Sequence, residues 1–426
     1  MKVIVAHEGK QHSFRTAEAL LQKGYLFKYI TTIYDKPFSL TRIVKHILRG
    51  DAKKKCASHR TNAIPDDMVL QYCEWKGLLR LFLSKIPSLY KHFPHYYDWL
   101  HDSFGKRVAE YAIKNNVDAV IMYDTNANEC WKILKERAPQ IKRILDVTIA
   151  SRIYTEKIFR NDSEKFADSK IIEEAVYLQD DTELKRNKEE LISSNYFLVG
   201  STFVKNSLLY SGIEDNQIFI NPYGVNINQF SAKSQYQTTN PLRLIFVGAV
   251  CYRKGIHHLL SVVSEYSKDE VILNIVGGFP QDSEYYIKYK DCDNIHFCGF
   301  VTHDVLAEYY NNTDVFVLPS LSEGFAQVSL EAMSCGLPVI CTTNSGCNDA
   351  IKDFETGFVI EPSNREQLKE KIDWFIQNRS CIEAMGKKAR LVSLDYTWES
   401  YYEKLTNTIE KLSNNNQQKA GIESYP

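Results

Sequence analysis

The chain has 426 residues, 44% of them hydrophobic and 25% charged, which fits a globular protein long enough for two hydrophobic cores. A net charge of −1 excludes a global attraction to nucleic acid or to an anionic membrane, so no nucleic-acid partner is expected. The apolar start Val3–Ala6 is too short for a signal-peptide core, no run reaches the roughly 18 apolar residues of a bilayer span, and the ten cysteines include no CxxC pair, so reduced thiols and a cytoplasmic location are expected.

In chain order, Val3–Ala6 predicts a strand that ends at His7, Glu8 and Gly9, and helical spacing follows over 17–23. Residues 41–107 hold thirteen Lys/Arg against six Asp/Glu, interleaved with Trp75, Leu79, Phe82, Phe93 and Trp99. That stretch is either a face for an anionic membrane or a solvated helical subdomain with an aromatic core. Helical spacing over 104–114 precedes strands at Ala119–Tyr123 and Arg143–Val147, which carry Asp124 and Asp146 at their ends. Strands at Tyr196–Val199 and Ile218–Ile220 enclose helical spacing over 203–211. The polar run Ser231–Asn240 is the linker candidate.

A second series has strands at Arg243–Val247, Ile272–Val276, Ile295–Phe297, Val315–Leu318 and Pro338–Cys341, with helical spacing over 256–266, 304–311 and 366–378. The end, Leu412–Pro426, contains NNNQQ and is expected to be disordered. Alternation of this kind predicts parallel sheets built from βαβ units.

Two junctions carry the chemistry. In PSLSEGFAQVSLEAMSCGLPV, residues 319–339, a buried strand empties into a small-residue loop and a helix begins near Gln327. The free N–H groups and positive dipole end of that helix suit a diphosphate at the carboxyl edge of the sheet. Gly336 fits a left-handed helix cap. Glu323 lies in the loop and Glu331 about two turns on, so both carboxylates could face one cleft; Glu331 could equally be a helix acid favoured by the dipole. In FVGAVCYRKG, residues 246–255, a strand again runs into a loop, with Arg253 and Lys254 suited to phosphate oxygens or to a solvated turn. Asp291-Cys292-Asp293 has DxD form but precedes a strand, so it reads as a surface turn, and no metal is expected to be required.

These blocks resemble the retaining nucleotide-sugar glycosyltransferases of family 4, the glycosyl transferases group 1. The likeness lies in the E-x7-E pair Glu323 and Glu331, the EAM-x-CG-x-PV block, the strand-loop-KG block, SNYFLVGSTFVK at 194–205 and NPYGVN at 221–226. It runs from about 194 to 360, and the first 190 residues match loosely. The resemblance implies a GT-B fold: α/β, with two Rossmann-like domains whose parallel sheets face across a cleft. Residues 1–230 would form the acceptor-side domain and 231–395 the donor domain. Residues 396–412 would form a helix packing back on the first domain, and 413–426 a disordered tail.

By the same resemblance Glu323 stands beside the donor sugar as the catalytic carboxylate. Gly324, Phe325, Ala326, Gln327 and Val328 line the sugar and phosphate. Arg253, Lys254 and Gly9 meet the diphosphate, Glu331 the ribose, and Phe300 and Val301 the base. His7, Asp124 and Asp146 are the acceptor-side candidates. Two departures from the family pattern stand out: Ala249 replaces an arginine, and no histidine occupies the strand ends at Asp124 or Asp146. The implied reaction moves a hexose-type sugar, from a UDP-sugar ahead of a GDP-sugar, to a glycan or lipid-linked acceptor with retention, as in surface polysaccharide synthesis at the inner face of a bacterial membrane. The alternatives on the same fold are a sugar-nucleotide-binding pseudoenzyme and a sugar-nucleotide epimerase.

Overall fold

Val3–Ala6 (β1) is buried along its length and alternates between two cores: Val3 and Val5 join one, Ile4 and Ala6 the other. A strand that is apolar on both faces belongs inside a parallel sheet covered on both sides. The computed structural model, which describes residues 1–48, 56–83, 96–165 and 181–422, places it there. β1 is followed by β2 (Leu26–Thr31), β3 (Val69–Gln71), β4 (Ala119–Tyr123), β5 (Lys142–Val147), β6 (Tyr196–Val199) and β7 (Ile218–Ile220). They form one seven-stranded sheet in the order β3-β2-β1-β4-β5-β6-β7, parallel throughout.

The second sheet holds β8 (Leu242–Val247), β9 (Val271–Val276), β10 (Ile295–Gly299), β11 (Val315–Leu318), β12 (Val339–Thr342) and β13 (Gly357–Ile360). Its order is β10-β9-β8-β11-β12-β13, again parallel. In each sheet the winding reverses once, between β1 and β4 and between β8 and β11. Open α/β sheets hold ligands at such switch points, outside the carboxyl ends of the strands. The loops after β1 and β4 begin with His7 and Asp124; those after β8 and β11 carry Arg253, Lys254 and Glu323.

Three strands lie outside the sequence expectation. β2 reads LFKYIT, with Lys28 interrupting its apolar run; β3 has only three residues, and β13 starts on a glycine. Their neighbours in the sheet supply what local pattern lacks. Residues 231–240 contain no helix or strand, and Tyr236 Oη donates to the Gly336 carbonyl at 3.0 Å, tying the linker to the second domain.

The final helix, Trp398–Ile422, lies against the helix Ser13–Gln22 of the first domain. Thr16 Oγ1 and Tyr401 Oη are 2.8 Å apart, Arg15 donates to Tyr402 Oη at 3.1 Å, and Tyr402 Oη donates to Glu18 at 2.7 Å. Tyr401, Leu405, Ile409 and Leu412 form its buried stripe. The helix continues beyond residue 412, where disorder is expected, because extending a helix whose first turns are docked costs far less than starting one.

Within 41–107 the described helices Leu40–Ile47 and Glu74–Leu83 turn apolar side chains outward. Ile43, Ile47, Trp75, Phe82 and Trp99 are exposed, as is Phe38 just ahead. Arg49, Lys53, Lys54, Lys55, Lys85, Tyr90, Lys91 and Phe93 of that stretch lie outside the described residues.

Candidate active site

After β8 the chain makes a short 3-10 turn, Tyr252–Lys254, and leaves it through Gly255 at φ +63°. A side chain at Gly255 would place its Cβ 1.9 Å from the Pro319 carbonyl oxygen, so only glycine fits. The Arg253 carbonyl accepts from the amides of Leu321 at 2.9 Å and Ser322 at 3.3 Å. The loops from β8 and β11 are thereby joined backbone to backbone, and this brings two cations to one acid. Arg253 Nη1 lies 2.8 Å from Glu323 Oε1 and 3.0 Å from the Ser322 carbonyl, and Lys254 Nζ pairs with Glu323 Oε2. The Glu323 amide donates to the Asn344 carbonyl at 3.0 Å, which fixes the loop from its other side. Burial works against the Glu323 carboxylate, but the charges of Lys254 and Arg253 outweigh it and hold its pKa below the usual range.

The helix Gln327–Ser334 starts in the same loop, so its positive end lies beside this ion cluster. Gly336, at φ +80°, follows it in the left-handed region. Glu331 projects from the helix toward Tyr310, whose single hydroxyl proton has two acceptors in reach, Glu331 Oε2 at 3.3 Å and the Val328 carbonyl at 3.1 Å. Burial pushes the Glu331 carboxyl up to about 7, with the Tyr310 bond opposing it. The two acids of one motif are therefore tuned apart: Glu323 is firmly ionised, while Glu331 is poised near neutrality.

The Glu323 loop also meets the first domain. A Cβ on Gly324 would lie 1.7 Å from the Thr148 carbonyl oxygen, and Ser201 Oγ donates to the Gly324 carbonyl at 2.7 Å. Phe325 packs edge-on against Tyr223 with centroids 5.8 Å apart, and Gln327 Nε2 donates to the Gly224 carbonyl at 2.9 Å. Phe325 and Ala326 are buried, and the Phe325 ring belongs to the domain contact. Val328 is half-buried. At the sheet edge Phe300, just past β10, is 85% exposed and Val301 is half-buried.

Across the cleft, His7 Nδ1 accepts the Gly9 amide at 2.8 Å, and its ring stands edge-on to Tyr123. Burial lowers the His7 pKa to about 3, so the ring is neutral. Asp124, pushed up to about 6 by burial, accepts from Thr148 Oγ1 at 2.7 Å. Asp146 is paired at 2.9 Å with His12 Nε2, and the His12 ring lies 4.3 Å from Tyr223.

No strand-end position reveals His12, whose pairing with Asp146 the structure brings to this side. It closes the loop HEGKQH after β1, one residue before a helix, and reading that whole loop would have found it. Lys10, His12, Arg15, Arg60, Gln327 and Trp398 line a cleft of about 330 Å³ between the domains. Asp291 and Asp293 are exposed on the turn before β10. Among the described residues, one set of possible metal ligands converges, Asp162 with His257 and His258.

Residues 228–392 match the family model described as glycosyl transferases group 1. The capsular polysaccharide biosynthesis glycosyltransferase CapM of Staphylococcus aureus is 32% identical over 181 residues, 39% of this chain and 46% of that protein. The N,N'-diacetylbacillosaminyl-diphospho-undecaprenol alpha-1,3-N-acetylgalactosaminyltransferase of Campylobacter jejuni is 27% identical over 199 residues, 43% of this chain and 52% of that one. These matches span about half the length of the curated relatives. Among solved structures, HepE of Anabaena in complex with UDP-glucose superposes with a TM-score of 0.63 at 14% identity, covering 96% of this chain and all of that one. The two parallel-sheet domains are thus those of the GT-B glycosyltransferase fold.

Proposed function

We propose that this chain, whose residues 228–392 belong to the glycosyl transferases group 1 family, moves a hexose-type sugar from a nucleotide-sugar donor to a glycan or lipid-linked acceptor with retention at the anomeric carbon. The observation that carries this reading is the Arg253–Glu323–Lys254 cluster at the β8/β11 switch point, with a helix N-terminus and Glu331 on the same loop-helix unit. The Glu323 carboxylate pairs with both cations. A diphosphate would take them over, leaving Glu323 to face the sugar.

Transfer breaks the bond between the anomeric carbon and the phosphate oxygen and forms one from that carbon to an acceptor hydroxyl oxygen, whose proton passes to an oxygen of the leaving diphosphate. The sugar gains positive charge and the diphosphate leaves with the bonding pair. Arg253, Lys254 and the helix end then meet the negative charge, and Glu323 the positive. Glu331, with Tyr310 behind it, would accept ribose hydroxyls, Gly9 would approach the diphosphate from the first domain, and Phe300 and Val301 would cover the base.

The UDP-glucose complex of HepE favours a UDP-sugar over a GDP-sugar as the first donor to test. The interdomain cleft carries Lys10, with Arg15 paired to Glu18 and Arg60 to Asp66, and the Lys10 ammonium offers a contact for an anionic group on the acceptor, as a lipid-linked diphosphate has. Asp124, His7 and the His12–Asp146 pair stand on that side. The outward Ile43, Ile47, Trp75, Phe82 and Trp99, set among basic residues, fit a peripheral contact with an anionic membrane, where such an acceptor would reside. Residues 1–230 would then serve the acceptor and 231–395 the donor.

The test is a screen of UDP- and GDP-sugars by thermal shift, followed by NMR of the product formed on a lipid-diphosphate acceptor. Stabilisation by a nucleotide sugar and an axial-to-axial or equatorial-to-equatorial product are expected. Inversion, or no response to any nucleotide sugar, would refute the reading.

A further inference from the structure

The helix Arg152–Lys165 follows β5 and belongs to the first domain by chain order, yet one face of it reaches the second domain. Thr155, Phe159 and Asp162 are spaced four and three apart, which puts them on a single stripe. Thr155 Oγ1 pairs with Ser322 Oγ at 2.9 Å, next to Glu323. Phe159 meets the Tyr252 ring edge-on with centroids 5.0 Å apart. Asp162 is buried and accepts from Tyr252 Oη at 2.5 Å, His258 Nε2 at 2.8 Å and His257 Nε2 at 3.2 Å. A carboxylate can only accept, so each ring nitrogen facing it donates. Burial opposes the Asp162 charge, but the donors from His257 and His258 hold its pKa far below the usual range.

These partners bracket the cations. Tyr252 opens the turn that carries Arg253 and Lys254, and His257 and His258 lie in the first turn of the helix Ile256–Val263 that follows Gly255. Tyr252 and His257 also stack, rings nearly parallel and 4.9 Å apart. Asp162 thus grips the chain on both sides of Arg253 and Lys254, while Thr155 holds the neighbouring Glu323 loop. A buried ion is a weak source of stability, since apolar groups of the same size would join the domains about as well. What it adds is direction: three donors converge on one point and set the turn's orientation.

We propose that Asp162 is a positioning residue for the donor diphosphate, holding Tyr252, His257 and His258 across the domain boundary so that Arg253 and Lys254 face the cleft. The grip on the donor then depends on how the first domain is seated. This rests on the reading of Arg253 and Lys254 as the diphosphate site.

Asp162→Asn keeps the side-chain volume and replaces an acceptor with an amide donor. UDP affinity, measured by calorimetry, should fall about 10-fold, within the range for a residue that acts through another. The donor KM should rise alike while kcat moves less than about threefold, a split that a general loss of fold would not give. In a background with both Arg253→Ala and Lys254→Ala the same substitution should cost no further affinity, because the contacts it positions are gone. Additive losses, or wild-type UDP affinity in a folded Asp162→Asn, would overturn the proposal. If Asp162→Asn does not fold, Tyr252→Phe removes one donor only and should show a smaller loss with the same non-additivity. A rise in Tm on adding zinc, reversed by EDTA, would make the three groups a metal centre and sink the idea. Wild-type UDP affinity in Lys254→Ala alone would instead refute the diphosphate site, a failure separate from that of Asp162.

Discussion

Glu323→Gln tests whether the carboxylate stands in for the donor. In the structure Glu323 receives Arg253 at 2.8 Å and also Lys254, and it is largely enclosed. Each charge-assisted hydrogen bond contributes about 1.5–3 kcal/mol, and these contacts must loosen before the cations can turn to a diphosphate. The Arg253 side chain is 29% exposed, so screening removes part of that figure. A net relief of about 1.4 kcal/mol, one factor of ten in affinity, remains for the variant. UDP or GDP should therefore bind Glu323→Gln about tenfold more tightly, while turnover falls about 10²–10³-fold for loss of one preorganised charge beside the sugar.

Calorimetry with the nucleotide and initial rates at saturating donor give the two numbers. Opposite signs on affinity and turnover are the signature; weaker nucleotide binding, or turnover near normal, would refute the reasoning. Acid stability gives an independent reading. The folded pKa of Glu323 lies below its ordinary 4.5, so its ion pairs stabilise the protein fully above that value and are lost as pH falls through the lower folded one. The difference in Tm between wild type and Glu323→Gln should shrink below pH 4.5 and hold steady above it.

Glu331 should behave in the opposite sense. Its carboxyl is raised to about 7, so wild type loses stability as pH climbs from about 4.5 to 7, and Glu331→Gln should gain on it in Tm over that window. Ribose hydroxyls favour the ionised form, so nucleotide binding at pH 7 should release protons, seen as a buffer-dependent heat, and Glu331→Gln should abolish the release and weaken binding by about 1.5–3 kcal/mol. Gly324→Ala puts a methyl 1.7 Å from the Thr148 carbonyl and should force the domains apart at a cost of about 1–3 kcal/mol, read as a lower Tm with reduced turnover; an unchanged Tm would show that this contact is not tight in solution. Liposomes containing anionic lipid should sediment the protein at low salt and release it at high salt, and Trp75→Ser with Phe82→Ser should weaken the association; no sedimentation at low salt would leave these exposed side chains without a membrane role.

The Arg253–Glu323 cluster and Glu331 were legible because their signal is local. Arg253, Lys254, Glu323 and Glu331 lie within two short strand-loop-helix units, and the loop glycines, the strand before and the helix after all point the same way. Gly336 is the clearest case: a glycine closing the helix reads as a left-handed cap, and the structure places it at φ +80°. The edge strands fared worse because β2 and β3 owe their strand character to neighbours. Tyr29 pairs with Val69 as a consequence of the sheet, and three residues carry no period of their own.

Asp162 shows the limit most sharply. No element is expected over the polar segment RIYTEKIFRNDSEK, which folds as a helix, and the partner that gives Asp162 meaning, His258, lies 96 positions away in the other domain. The spacing of Thr155, Phe159 and Asp162 is visible in the sequence, but nothing marks that stripe as facing a second sheet. His12 has the same character: its pairing with Asp146 crosses 134 positions. Residues that bind a ligand through their own loop announce themselves by motif. Residues that orient those loops from another domain do so through pairs far apart in sequence, as Asp162 does with His257 and His258. If Asp162 positions Arg253 and Lys254 as proposed, substitutions in the helix Arg152–Lys165 should weaken nucleotide binding while both cations stay in place.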